Sequence, residues 1–171
     1  MQQQSPTLKS PSLRTESALA LGVFGALTAG AGALGAAVTD HGTQLWYRRL
    51  RKPPFQPPSA VFGPVWTVLY GLIALSGWRV WNRPAGPARS RALGLWALQL
   101  GFNAAWSWLF FGRHDPKAAL LDVGLLQTAV TGYARAAEQV DPASRWLMAP
   151  YKAWIGFASM LNAEIVRQNA A

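Results

Sequence analysis

Cysteine is absent from the 171 residues, which excludes disulfides, thiol nucleophiles and thiolate metal sites. Acidic residues are scarce, seven Asp and Glu against sixteen Lys and Arg. The only two histidines, His41 and His114, lack His, Asp or Glu partners at ligand spacing, so no metal site is expected and both read as solvated loop residues. No Ser/His/Asp set or phosphate-cradling glycine loop is present, and no span holds a carboxylate pair at helical spacing, so hydrolysis and phosphoryl transfer are not expected. Charge of either sign is also low, at 13%, about half the usual share. With 51% hydrophobic residues, a chain of this size has too little charge to cover a soluble exterior, and a membrane protein is expected. The mean hydropathy of +0.11 is modest only because arginine-rich connections and a polar N-terminus dilute it.

What is present is a series of apolar runs separated by basic connections. Residues 1–16 (MQQQSPTLKSPSLRTE) read as a disordered tail, residues 17–167 as one domain and residues 168–171 as a short C-terminal tail. Membrane-length spans are expected at about 17–38, 60–81, 92–111, 117–137 and 142–166. The predicted fold class is therefore an all-α integral membrane protein, a bundle of five transmembrane helices with a proline-rich lid loop between helices 1 and 2. The first run begins too late and is too long for a signal peptide. Its Gly22/Ala26/Gly30 and Ala29/Ala33/Ala37 series predict close helix packing. Between the first two spans, Trp46 to Pro58 carries a basic cluster and then Pro53, Pro54, Pro57 and Pro58, which predicts a stiff extended loop. Pro64 is expected in the first turn of the second span, and Asp141-Pro142 marks a helix start.

The net charge of +9 falls in the connections, as expected of loops meeting anionic lipid headgroups. No basic amphipathic helix or nucleic-acid-binding signature accompanies it, so no nucleic-acid partner is expected. Positive residues nearly balance on the two faces, which leaves the orientation open.

Nine tryptophans stand out. Trp46, Trp78 and Trp81 lie near span ends, where indoles anchor at the membrane interface. Trp66, Trp96, Trp106, Trp108 and Trp154 lie within spans, where lipid cannot satisfy the indole N–H, so they should face other helices or a ligand. Gln99 and Asn103 share one helix face, and Asn103 and Trp106 aim an amide and an indole together. Asn103 is read as a ligand contact, whereas Asp122 and Asn162 are read as structural. Lys152 is an unusual cation inside the fifth span, expected to snorkel to the nearer face.

Several ordered motifs then resemble the TspO/MBR family, the tryptophan-rich sensory proteins and the translocator, or peripheral benzodiazepine receptor, proteins. They are Trp46-Tyr47; Leu50, Lys52, Pro53, Pro57 and Pro58; Phe62, Pro64, Trp66, Leu69 and Tyr70; Gln99, Leu100, Asn103, Trp106, Phe110, Phe111 and Gly112; and Pro150, Tyr151, Ala153, Trp154, Phe157, Ala158, Leu161 and Asn162. The resemblance covers nearly all of 18–167 and implies a pocket lined by Trp66, Asn103 and Trp106, with Gln99 beside them, and by Trp154. Trp46 and Pro57 would lie on the lid side. It implies a tetrapyrrole ligand, protoporphyrin IX or haem, with no obligatory cofactor; its propionates would seek Arg48, Arg49, Arg51 or Lys52. A homodimer through Ala97, Gly101 and Ala105 and a bacterial membrane, inner or outer, are also expected. Alternative activities are light- and oxygen-dependent porphyrin degradation using Trp66 and Trp154, or transport of porphyrins or other small hydrophobic molecules. The family's sterol-recognition pattern is interrupted by Ala163, Glu164 and Ile165 between Leu161 and Arg167.

Overall fold

The computed structural model describes residues 11–38 and 41–170, and among these every regular element is helical. The long helices are α1 (Pro11–Ala37), α3 (Ser59–Trp81), α4 (Pro87–Ser107), α5 (Pro116–Val140) and α7 (Ala149–Asn169). Two short helices interrupt them: α2 (His41–Arg49) and α6 (Pro142–Leu147). A π turn, Trp108–Gly112, extends α4. Arg14–Ala37 and Ser59–Trp81 are long and apolar enough to cross a membrane.

The outside of this bundle is oily. Leu19, Leu34, Val68, Leu121 and Met160 are each more than half exposed. Gln99, Asn103, Ser76 and Asn162 are instead buried. A helix with apolar side chains outward and amides inward suits lipid rather than water.

Several boundaries depart from the sequence reading. Residues 11–16 are helical rather than tail, residues 1–10 lie outside the described residues, and α7 runs on through Gln168 and Asn169. The extended loop is confined to residues 50–58, because Trp46 to Arg49 complete α2 before the first proline. Pro64 falls in the second turn of α3, where its missing N–H leaves the carbonyl of the exposed Ala60 without its helical donor. The fifth apolar run is two helices, since the chain bends at Met148. The start of α5 follows simple capping: Asp115 accepts from the N–H groups of Lys117 (3.1 Å) and Ala118 (3.0 Å), with Pro116 at the first helical position.

The small-residue faces of α1 behave unexpectedly. Gly22, Ala26 and Gly30, and likewise Ala29, Ala33 and Ala37, are exposed, whereas Ala20, Phe24, Thr28 and Ala31 turn inward. Close approach occurs elsewhere, at Gly32, whose added Cβ would stand 2.7 Å from the Tyr70 ring. A second such point is Gly77 on α3, where a Cβ would lie 2.6 Å from Trp96 Nε1 and 2.7 Å from Phe24. There Phe24 packs edge-on to Trp96 at 4.6 Å, and the Trp96 indole donates to the Ile73 carbonyl at 2.9 Å. Gly77→Ala should therefore destabilise the protein by about 1–3 kcal/mol. Thermal unfolding in detergent measures this, and an unchanged transition would contradict a rigid contact at Gly77.

At the end of the bundle where α3 and α5 finish, Asp141 is buried beneath two arginines. Arg79 donates to both its oxygens, at 2.7 and 3.2 Å, Arg83 donates to Oδ1, and the Ser144 hydroxyl donates to Oδ2 at 2.7 Å. The Arg79 hydrogen bond, followed by those of Ser144 and Arg83, holds the Asp141 carboxyl well below the usual carboxylate range. Asp141 thus starts α6, as the sequence implied, but its side chain serves the ion cluster rather than a cap.

Candidate ligand-binding site

Phe62, Trp66 and Tyr70 recur every four residues on α3, and Tyr151, Trp154 and Phe157 every three on α7, so each trio forms one face. The two faces oppose one another. Phe62 meets Trp154 at 5.7 Å and Trp66 meets Tyr151 at 6.1 Å, both edge-to-face. Trp66 leans on Tyr70 at 5.2 Å, and Trp154 on Phe157 at 5.6 Å. The α3 and α7 backbones approach closely at few points, so aromatic rings occupy the seam between them.

The inner end of this seam is polar. The Tyr70 hydroxyl donates to Asn103 Oδ1 at 2.9 Å, and Asn103 Nδ2 donates to the Tyr151 hydroxyl at 3.2 Å. Asn103 is buried and holds one phenol from each wall. One turn earlier, Gln99 is fully buried; its Nε2 donates to the Trp96 carbonyl at 3.0 Å, and its Oε1 has no hydrogen-bond partner among the described residues. Asp122 Oδ2 on α5 is likewise unpartnered.

The outer end adjoins the connection after α2. Phe55 reaches Phe157 at 6.4 Å, and Pro57 is half-buried. Two reciprocal bonds pin this connection to the end of α7: the Arg51 N–H donates to Asn169 Oδ1 at 3.0 Å, and Asn169 Nδ2 donates to the Arg51 carbonyl at 2.9 Å. The Tyr47 hydroxyl donates to Gln56 Oε1 at 3.2 Å, and burial pushes its pKa up. Arg48, Arg49 and Arg51 are exposed. Lys52 instead turns inward, its Nζ donating to the carbonyls of Leu50 (3.3 Å) and Arg48 (3.4 Å) and lying 4.6 Å above the Tyr47 ring. Desolvation lowers its pKa.

The structure thus joins Trp66 to Asn103 through Tyr70 and Tyr151, and places Trp154 one helical turn along the same seam. Trp106 belongs to a neighbouring cluster: its indole donates to Asn162 Oδ1 at 3.1 Å and stacks on Phe110 at 5.1 Å. The amide of Asn103 and the indole of Trp106 therefore point to different partners. Asn162 also donates to the Pro116 carbonyl at 2.8 Å, a structural tie between α7 and the start of α5.

Three other indoles depart from expectation. Trp46 is half-buried, stacked on His114 at 4.4 Å, and His114 Nε2 lies 3.3 Å from Thr43 Oγ1, so this histidine is engaged rather than free in a loop. Trp78 ties α3 to α1 by donating to the Ser17 carbonyl at 2.7 Å. Trp108 faces outward beside Arg113, because two residues beyond Trp106 it lies on the opposite side of the helix. Tyr70 and Tyr151 are the site residues that composition alone passes over. Their signal was the four-residue spacing of Tyr70 from Trp66 and the three-residue spacing of Tyr151 from Trp154.

Comparison with known proteins agrees over most of the chain. A profile described as the TspO/MBR family matches residues 23–167. Similar proteins include "Tryptophan-rich protein TspO" of Archaeoglobus fulgidus, 40% identical over 139 residues (81% of this chain, 90% of the relative). "Translocator protein" of Bos taurus is 37% identical over 140 residues (81% and 83%). "Tryptophan-rich sensory protein" of Cereibacter sphaeroides is 36% identical over 124 residues (72% and 77%). Because these relatives are archaeal, mammalian and bacterial, they do not single out a bacterial membrane.

Proposed function

The chain belongs to the TspO/MBR family, and from that premise we propose that it is a five-span membrane protein that binds a tetrapyrrole in the α3–α7 seam and serves a sensory or regulatory role. The observation that carries this reading is the pairing of Phe62 with Trp154 and Trp66 with Tyr151 across two helices whose backbones stand apart. A flat macrocycle entering that seam exchanges ring–ring contacts for ring–macrocycle contacts of the same kind. Residues 50–58 are the lid, and Phe55, half exposed at its edge, is the first ring to move.

The exposed Arg48, Arg49 and Arg51 supply charge for propionates at the mouth. Lys52 is less suited, because it already donates to the Arg48 carbonyl in the last turn of α2 and to the Leu50 carbonyl just beyond it. The rings and amides of the seam stack on a macrocycle rather than ligate its iron, so protoporphyrin IX and haem should compete for one site. Ala97 and Gly101 are exposed and Ala105 is half-buried, which supports a homodimer through the outer face of α4.

Quenching of intrinsic fluorescence by protoporphyrin IX is the direct test. Trp66→Phe and Trp154→Phe should each weaken binding several-fold, on the order of 1 kcal/mol. Unchanged titrations for both variants would remove the seam as the site. Light-driven porphyrin oxidation is a second reading, favoured by Trp154 lying between Phe62 and Phe157 near the lid. It requires that illuminated bleaching in oxygen slow in the Trp154→Phe variant.

A further inference from the structure

On the outer surface, between α4 and α5, lies a groove of about 530 Å³. Its two ends differ in chemistry. Because α4 and α5 run antiparallel, Arg91 at the start of α4 meets Arg135 and Gln139 at the end of α5. From there the groove continues through Leu95 and Leu98 to Phe102 and Leu125, with no charged side chain beyond the arginine pair. Both arginines are exposed, and neither has an ion-pair partner among the described residues.

The dimensions match one layer of a membrane. Arg91 and Phe102 are separated by about 16 Å along the helix at 1.5 Å per residue. That is roughly half of a hydrocarbon core of about 30 Å. A slot one leaflet deep, apolar below its outer end except for Thr128 and doubly cationic at that end, complements a single acyl chain beneath an anionic phosphate.

We infer that the α4–α5 groove is a binding site for an anionic phospholipid, its phosphate held by Arg91 and Arg135 and one acyl chain lying along Leu95, Leu98 and Phe102. Arginine forks suit phosphate geometry, and paired cations at the headgroup level favour an anionic over a zwitterionic lipid. Gly132 keeps the floor open: a Cβ there would stand 3.8 Å from Leu95 Cδ1 and Cδ2, an ordinary contact, so only a longer side chain would fill the slot. A second copy of the chain, proposed above for the Ala97, Gly101 and Ala105 stripe, is a poorer occupant of the groove itself, because a symmetric interface centred there would bring a matching pair of unpaired arginines to the same place. The inference rests on the five-span reading, since α4 and α5 must lie within the bilayer.

Native mass spectrometry of the full chain in detergent, titrated with phosphatidylglycerol and phosphatidylcholine of identical acyl chains, tests this site. The wild type should prefer phosphatidylglycerol by about tenfold. Arg91→Gln with Arg135→Gln should abolish the preference while leaving porphyrin quenching intact, and Gly132→Leu should lower occupancy by both lipids. Equal binding of the two lipids, or a preference retained in the double arginine variant, would overturn the inference. So would conversion of a dimer to monomer by Gly132→Leu without any loss of lipid. The arginines are surface residues, so their variants carry the test even where Gly132→Leu fails to fold. Recovery from carbonate-washed membranes separates the two levels: absence there defeats the five-span reading, whereas presence without lipid preference defeats only the groove.

Discussion

Asp141→Ala should lower the stability of the bundle by about 3 kcal/mol, the low end of the range for breaking a buried ion pair. The carboxylate is itself almost completely buried, at 1% exposure, and it gathers α3, α5 and α6 around one point. Removing it leaves Arg79 and Arg83 as two like charges with no counter-ion between them, and leaves the Ser144 hydroxyl only its longer bond to the Ser76 carbonyl, at 3.3 Å. Both guanidiniums keep contact with water, at 35% and 46% exposure, which is why the low end applies. The damage should spread through Ser76, whose hydroxyl donates to the Ser144 carbonyl at 3.0 Å and accepts from the Tyr133 hydroxyl at 2.7 Å. Thermal unfolding of the detergent-solubilised variant reads the effect, and a shift no larger than that of Arg145→Ala, which breaks an exposed pair with Glu138, would contradict it.

The same cluster sets a pH dependence. Because the folded state holds the Asp141 carboxyl below its unfolded value, its contribution is complete above the free carboxyl range near pH ~4 and is lost as pH falls below that. Wild-type stability should therefore decline more steeply than that of Asp141→Ala on acidification below pH ~4. Parallel curves would mean that the carboxylate is not stabilised by its neighbours.

The second large effect is expected at Asn103. Asn103→Leu should cost about 2–4 kcal/mol, because it leaves the Tyr70 and Tyr151 hydroxyls without their shared partner inside the bundle. The cost comes from stranded phenols rather than from lost packing, since leucine nearly conserves volume. Adding Tyr70→Phe and Tyr151→Phe to Asn103→Leu should consequently recover most of the stability, an outcome that loss of packing could not produce. Porphyrin affinity should fall in the single variant, because Trp66 rests on both tyrosine rings. If the triple variant is less stable than Asn103→Leu, the amide's role as a bridge is refuted.

The site was legible in the sequence to different depths. Trp66 and Trp154 stand out because an indole N–H within an apolar run demands a partner, and Asn103 because an amide does so more strongly. Their assembly was less visible. Sequence spacing aligns residues on one helix but carries no information about which face of another helix they meet. Trp106 illustrates this: it shares the Asn103 face by spacing, yet bonds to Asn162 on another part of α7. Trp78 shows the same limit, since a position near a span end was compatible with the membrane interface until α1 packed over it. The exposed Gly22 and Ala26 show it for small residues, because small side chains permit close approach but only the neighbouring helix determines where it happens.

By itself, the sequence determined that the chain is helical, oily on its outside, free of thiol chemistry and a member of the TspO/MBR family, because period, composition and motif order are properties of the chain alone. Tertiary structure decided that Tyr70, Asn103 and Tyr151 form one hydrogen-bonded bridge, that Lys52 turns away from the mouth, and that two arginines head an oily groove between α4 and α5. Each of these depends on distances between residues far apart in the chain, which arise only when packed helices bring particular faces together.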